Sequence, residues 1–175
     1  TDEIRNSCRI MLHEETGFPD DAIVVGFVGN LTNQKRPEIF LETCAKLQSS
    51  IEAPVAGILF GSDRDGRLQE LKTLSSTLGI TRLTRFMGFK SPVEPWLSGC
   101  DFLLAPAVGD GLGRAIIEAM LCGTPVVATS SAGHLEIVED QTTGLLVTPD
   151  SPDDMAEAIL FLLENPAFTQ SMAKQ

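Results

Sequence analysis

Positive charge is scarce in this chain: 13 lysines and arginines stand against 24 aspartates and glutamates, a formal net charge of −11. So acidic a surface repels polyanions, which excludes broad neutralisation of nucleic-acid phosphates and requires a local site for any phosphate bound. Long apolar runs are missing, and no stretch approaches the roughly 20 residues of a membrane-spanning helix. The opening TDEIRNSCRI carries charge where a signal peptide has an apolar core. Cys8, Cys44, Cys100 and Cys122 lie far apart with no CxxC pair, so buried thiols in a reducing, cytoplasmic setting are the expectation. Fixed-period repeats and low-complexity tracts are absent. Neither G-x-x-x-x-G-K-[ST] nor G-x-G-x-x-G occurs, so two familiar nucleotide fingerprints are missing. Asp63, Arg64 and Asp65 read as a solvated turn, and neither a metal nor a cofactor is expected.

What remains is an apolar chain, 43% hydrophobic over 175 residues, of a size that buries roughly 70% of its unfolded surface as one domain. Residues 1–20 have a loosely helical pattern at Ile4, Cys8, Met11 and Leu12 that stops at Gly17 and Pro19. They read as a connecting helix ahead of a domain spanning 21–175. AIVVGFVGN is a β-branched run without polar interruption, the mark of a strand covered on both faces. A polar loop and a helix from Pro37 follow, with Pro37 suited to a first turn. The alternation recurs through VAGILFG, LTRFMG, CDFLLAP, TPVVATS and TGLLVTP, and Ser151 is placed to cap a last long helix. Six short apolar strands interleaved with helices predict an α/β fold: a doubly wound, Rossmann-like parallel sheet with helices on both faces.

Ligands of such sheets sit beyond the carboxyl ends of the strands, which directs attention to the loops at 29–36, 61–66, 88–92, 106–113 and 129–134. The stretch PAVGDGLGRAIIEAMLCGTP at 106–125 stands out. Its glycine loop leads into a short helix that is apolar almost all round and is therefore expected to be buried. Unpaired amides at that helix N-terminus attract an anion, a diphosphate for instance, although a glycine turn of this kind is as often purely structural. Glu118 falls within the apolar run, where a carboxylate must find a partner. His134 reads equally as a loop residue and as a ligand contact, and Glu136 as a ligand contact or a helix cap. His13 is expected at the surface. Of Met87, Phe89 and Trp96, two are expected in the core and the other beside the ligand.

The motif D-G-x-G-x-x-x-x-E-A-M-x-x-G-x-P-V-V-A at 110–128 resembles the donor-site signature of the group 1 glycosyltransferases, retaining enzymes of two-domain GT-B architecture. VVGFVGN with Lys35, ILFGSD, FMGF, the AGHLEIVED segment, TGLLVTP and DMAEAILFLLENP follow in the family's order. The resemblance implies that Glu118 holds the ribose hydroxyls of a nucleotide. It places Asp110, where glutamate is usual, against the transferred sugar as a catalytic residue. Gly111, Leu112 and Gly113 grip sugar and diphosphate, with Arg114 beginning the helix, and Lys35 neutralises the leaving diphosphate as the second catalytic residue. Asn30 stands where an arginine is usual, and Arg36 or Arg114 is the substitute cation, Arg114 by preference.

By the same resemblance the partners are a nucleotide-sugar donor, which is a substrate and not a cofactor, and an acceptor-binding domain preceding this chain. The chain alone is expected to bind donor and transfer nothing, in a metal-independent, retaining enzyme whose full form leaves peripheral membrane attachment open. A non-catalytic nucleotide-sugar binding module and half of a GT-B-like sugar-nucleotide epimerase are the competing readings.

Overall fold

A computed structural model describes residues 2–175. Its centre is β1 (Ile23–Val28), whose side chains alternate between two cores. Val25 and Phe27 face one layer with Phe40, Leu41, Leu47, Ile159 and Leu162. Val24 faces the other with Leu12, Trp96, Leu97 and Ile116. The flanking strand β2 (Val55–Phe60) is buried throughout. With β3 (Thr84–Gly88), β4 (Phe102–Ala105), β5 (Val126–Thr129) and β6 (Leu145–Val147) they form one six-stranded sheet. Its order is β3-β2-β1-β4-β5-β6 and every pairing is parallel, the doubly wound topology expected of alternating strands and helices.

The helices are α1 (Asp2–Thr16), α2 (Pro37–Ser50), α3 (Leu68–Thr77), α4 (Glu94–Gly99), α5 (Arg114–Leu121), α6 (His134–Ile137), α7 (Pro152–Glu164) and α8 (Pro166–Met172). Pro37 opens α2, and Ser151 Oγ accepts from Asp154 N at the start of α7, as the sequence predicts. Glycine brings the layers close at mid-strand. A Cβ on Gly57 would stand 3.2 Å from both Cys44 Sγ and Phe40 Cε1. Cys44 and Cys100 are buried and free, and burial pushes each thiol up to about 12. No helix among the described residues is long and apolar enough to cross a membrane.

Two expectations are corrected. The helix expected to be buried all round, α5, buries only Ile116 and Ala119, while Leu121 is 83% exposed. Its apolar residues exceed the width of its contact with the sheet. His13, expected at the surface, is buried: the turn at Gly17 (φ 68°) folds the chain back so that the Phe18 carbonyl lies 3.2 Å from Nδ1. Beyond α7 the chain forms a further short helix, α8, begun at Pro166.

Helix α1 packs against α4, with Leu12 fully buried, and Arg9 pairs with Asp101 at 2.8 Å. Leu12→Ala is expected to destabilise the chain by about 3 kcal/mol, and Leu121→Ala by less than about 0.5 kcal/mol. Urea unfolding of the two variants measures both, and equal losses would mean that the two helices are misplaced.

Candidate functional site

The loops named from the sequence converge at the carboxyl edge of the sheet, and four of them, those after β1, β2, β3 and β4, line a cleft of about 500 Å³. Glycines allow the convergence. A Cβ on Gly61 would fall 1.9 Å from Gly29 O, so the loops after β1 and β2 touch through bare backbone. A Cβ on Gly133 would likewise collide with Gly111 O at 2.4 Å. Hydrogen bonds then lock the glycine loop. Val108 N donates to Gln34 O (2.9 Å), Gln34 Nε2 donates to Gly109 O (2.7 Å), Gly109 N donates to Ser131 Oγ (2.9 Å) and Gly133 N donates to Asp110 O (3.0 Å).

Lys35 and Asp110 come from different loops and meet in the cleft, Nζ lying 2.5 Å from Oδ2. The lysine stem lies over Gly29, where a Cβ would come within 3.2 Å of Lys35 Cδ. Glu118 lines the same cleft from α5, half-buried; its nearest cation is Arg114 at 3.9 Å, and its carboxylate makes no hydrogen bond among the described residues. Arg114 reaches the cleft with a side chain 81% exposed. Gly113 (φ 20°) caps α5, and among the described residues no acceptor pairs with the N–H groups of Gly111, Leu112 or Gly113. Such amides at a helix N-terminus form an anion site. The cleft therefore combines three cations (Lys35, Lys90 and Arg114), the unpaired amide of Leu112 and a carboxylate without a hydrogen bond, which suits a ligand bearing both phosphate and hydroxyl groups.

Two of the expected donor-binding residues are engaged by the protein itself. Asn30 lines the cleft, but its Oδ1 accepts from Ser62 N (3.3 Å) and so ties two loops together. Arg36, in the left-handed region (φ 54°), turns away from the cleft and sits 2.9 Å from Asp150 Oδ1 and 3.7 Å from Glu38. Phe89 stands 73% exposed at the rim, while Trp96 stacks on Phe60 and Met87 packs on the core. Glu136 is exposed and does not line the cleft, and the 63–65 turn is exposed, with Asp63 Oδ1 accepting from Arg67 N.

His134 is the residue the sequence left undecided. It is 1% exposed and lies under the site, Nε2 being 3.9 Å from Asp110 Oδ2. Burial depresses its proton affinity, the largest of several influences that include a favourable one from the Thr129 carbonyl. A larger cleft of 710 Å³ opens at the opposite edge, but its Arg5 and Arg9 are engaged by Gly123 O, Cys100 O, Gly99 O, Ala22 O and Asp101.

The buried imidazole makes stability depend on pH. Its folded affinity lies below the unfolded value of 6.5, so the unfolded chain binds the extra proton. The imidazole's contribution is thus complete above about pH 6.5 and lost as pH falls from there toward the lower folded value. In urea unfolding between pH 7.5 and 5, His134→Asn should lose less stability on acidification than the parent chain. Equal slopes would place the imidazole in solvent.

A sequence model described as "Glycosyl transferases group 1" matches residues 22–165. The chain is 34% identical over 154 residues to a D-inositol 3-phosphate glycosyltransferase of Corynebacterium jeikeium, covering 83% of this chain and 36% of that protein. It is 32% identical over 176 residues to D-inositol 3-phosphate glycosyltransferase 2 of Catenulispora acidiphila, covering 94% and 40%. It superposes on Anabaena HepE, solved in complex with UDP and glucose, with a TM-score of 0.88 and 29% identity over 96% of this chain and 46% of that one. The chain thus spans less than half the length of these relatives, and by the matched span and the identities together it belongs to the group 1 glycosyltransferases.

Proposed function

We propose that this chain is the donor-binding half of a glycosyltransferase that moves a sugar from a nucleoside diphosphate to an acceptor. The carrying observation is that Lys35, Asp110, Glu118 and Leu112, whose amide is unpaired, all line one cleft. The loop amides, Lys35 and Arg114 hold the diphosphate. Glu118 accepts from the ribose hydroxyls, and an ionised carboxylate suits a vicinal diol because it can accept twice. Asp110 faces the sugar and stabilises positive charge developing at the anomeric carbon.

Departure of the diphosphate concentrates negative charge at its terminal oxygen, next to Lys35. A preorganised cation there lowers the barrier by up to several kcal/mol. Lys35, Arg114 and the end of α5 supply the positive field that a metal would otherwise provide, which supports a metal-independent reaction, and the resemblance to a family of retaining enzymes supports retention of configuration. Support for a uridine donor comes from HepE, which has been solved with UDP-glucose. The acceptor site belongs to a further domain, so the chain by itself binds donor without transferring sugar.

A thermal-shift panel of UDP, GDP, ADP, dTDP and their sugars tests the reading. One of them at 100 times its dissociation constant should stabilise the chain by about 2.7 kcal/mol, whereas a flat panel refutes donor binding by this chain. Hydrogen bonds to charged groups contribute about 1.5–3 kcal/mol each. Lys35→Ala, Arg114→Ala and Glu118→Ala should therefore weaken binding roughly tenfold to a hundredfold. Arg36→Ala should change calorimetric affinity little, because Asp150 and Glu38 engage that side chain; a loss in Arg36→Ala with none in Arg114→Ala overturns the choice between the two.

A further inference from the structure

The donor contacts leave His134 without a role, although it is buried directly beneath them. Its Nδ1 lies 3.1 Å from Thr129 O and 3.2 Å from Thr129 Oγ1. The Thr129 hydroxyl donates to Ala107 O at 2.5 Å, so both neighbours of Nδ1 act as acceptors and Nδ1 carries the ring proton. The neutral ring consequently turns the lone pair of Nε2 toward Asp110 Oδ2, 3.9 Å away. Two acceptors face each other across that gap, and Asp110 tolerates it because Lys35 Nζ sits on its other side.

Asp110 and Lys35 are the titratable groups that face the ring from the neighbouring loops. Strand β5 contributes only Thr129, and α5 contributes the apolar Ile116 beside Gly113. Within α6, Glu136 is exposed. When a diphosphate reaches Lys35, two things change together. The phosphate neutralises the lysine, which removes its repulsion of an imidazolium. Asp110 loses its cation and keeps a half-buried charge 3.9 Å from Nε2, which becomes a donor once protonated.

We infer that His134 is a positioning residue for the donor site: on donor binding Nε2 takes one proton from solvent and its N–H holds Asp110 in place while Lys35 turns to the phosphate. The inference rests on the donor reading above. Asp110 stays ionised throughout, and no bond to substrate is made or broken. Burial keeps the ring neutral in the free chain, so the proton arrives with the anion.

Calorimetry of UDP-glucose binding to the purified chain at pH 7, in buffers of different ionisation enthalpy, reads the proton directly. The diphosphate diester of this ligand does not titrate there. The parent chain should show an enthalpy that rises with buffer ionisation enthalpy, and His134→Asn, which keeps a donor toward Thr129, should lose that slope, with His134→Gln as the second variant. Equal slopes in parent and variants overturn the inference. The chain has two histidines, so an imidazole nitrogen NMR titration of the ligand-free chain gives an independent measurement. Lys35→Met should raise the pH at which His134 titrates and Asp110→Asn should lower it; an unchanged titration in both overturns the inference whether or not UDP-glucose binds. Failure of UDP-glucose to bind refutes a uridine donor alone, and the titrations then decide the role of His134.

Discussion

The site depends on how β1 parts from β4. β1 pairs with β2 along its whole length, from Ile23 opposite Val55 to Val28 opposite Phe60. With β4 it pairs only at Val25 and Gly26, after which β4 continues alongside β5. The strand order reverses at this seam, so the loops leaving β1 and β4 run to opposite sides and a crevice opens between them. Every group assigned to the donor stands on the walls of that crevice. Lys35 belongs to one departing loop, and Asp110 and the unpaired amides belong to the other.

A crevice with mobile walls would hold these groups poorly, and here the walls are fixed by backbone. Gly29 against Gly61 and Gly133 against Gly111 are contacts that no side chain can enter. Gln34 clasps the glycine loop with both its main chain and its amide. The amides of 111–113 are thereby oriented before any ligand arrives, which is the condition under which fixed dipoles stabilise charge effectively. Asp110 plays two parts in this arrangement. Its main-chain carbonyl anchors Gly133, while its carboxylate balances Lys35 on one side and meets His134 on the other.

Six strands were legible in the sequence because each is a short apolar run, and a strand covered on both faces needs no finer pattern. The site loops followed from the fold rule, and Glu118 and Lys35 from the motif. What escaped is what the third dimension decides. Ile117 and Leu121 are as apolar as Ile116, and hydropathy does not tell which of them meets the sheet. The ion pair of Arg36 was not legible because its partner, Asp150, arrives from the far end of the chain. His13 looked exposed because its cover, the Phe18 carbonyl, comes from a reversal at Gly17. His134 resisted reading for the same reason, since its neighbour Asp110 is brought beside it by two loops meeting.

Helix α5 is gripped at both ends. Its leading loop is bonded to Ser131 and Gly133, and just past its other end Arg5 of α1 donates to Gly123 O, with a second bond to Cys100 O behind α4. Two turns of helix lie between these anchors. One unbroken run of hydrogen-bonded backbone thus joins the back of the domain, at Arg5, to the mouth of the cleft.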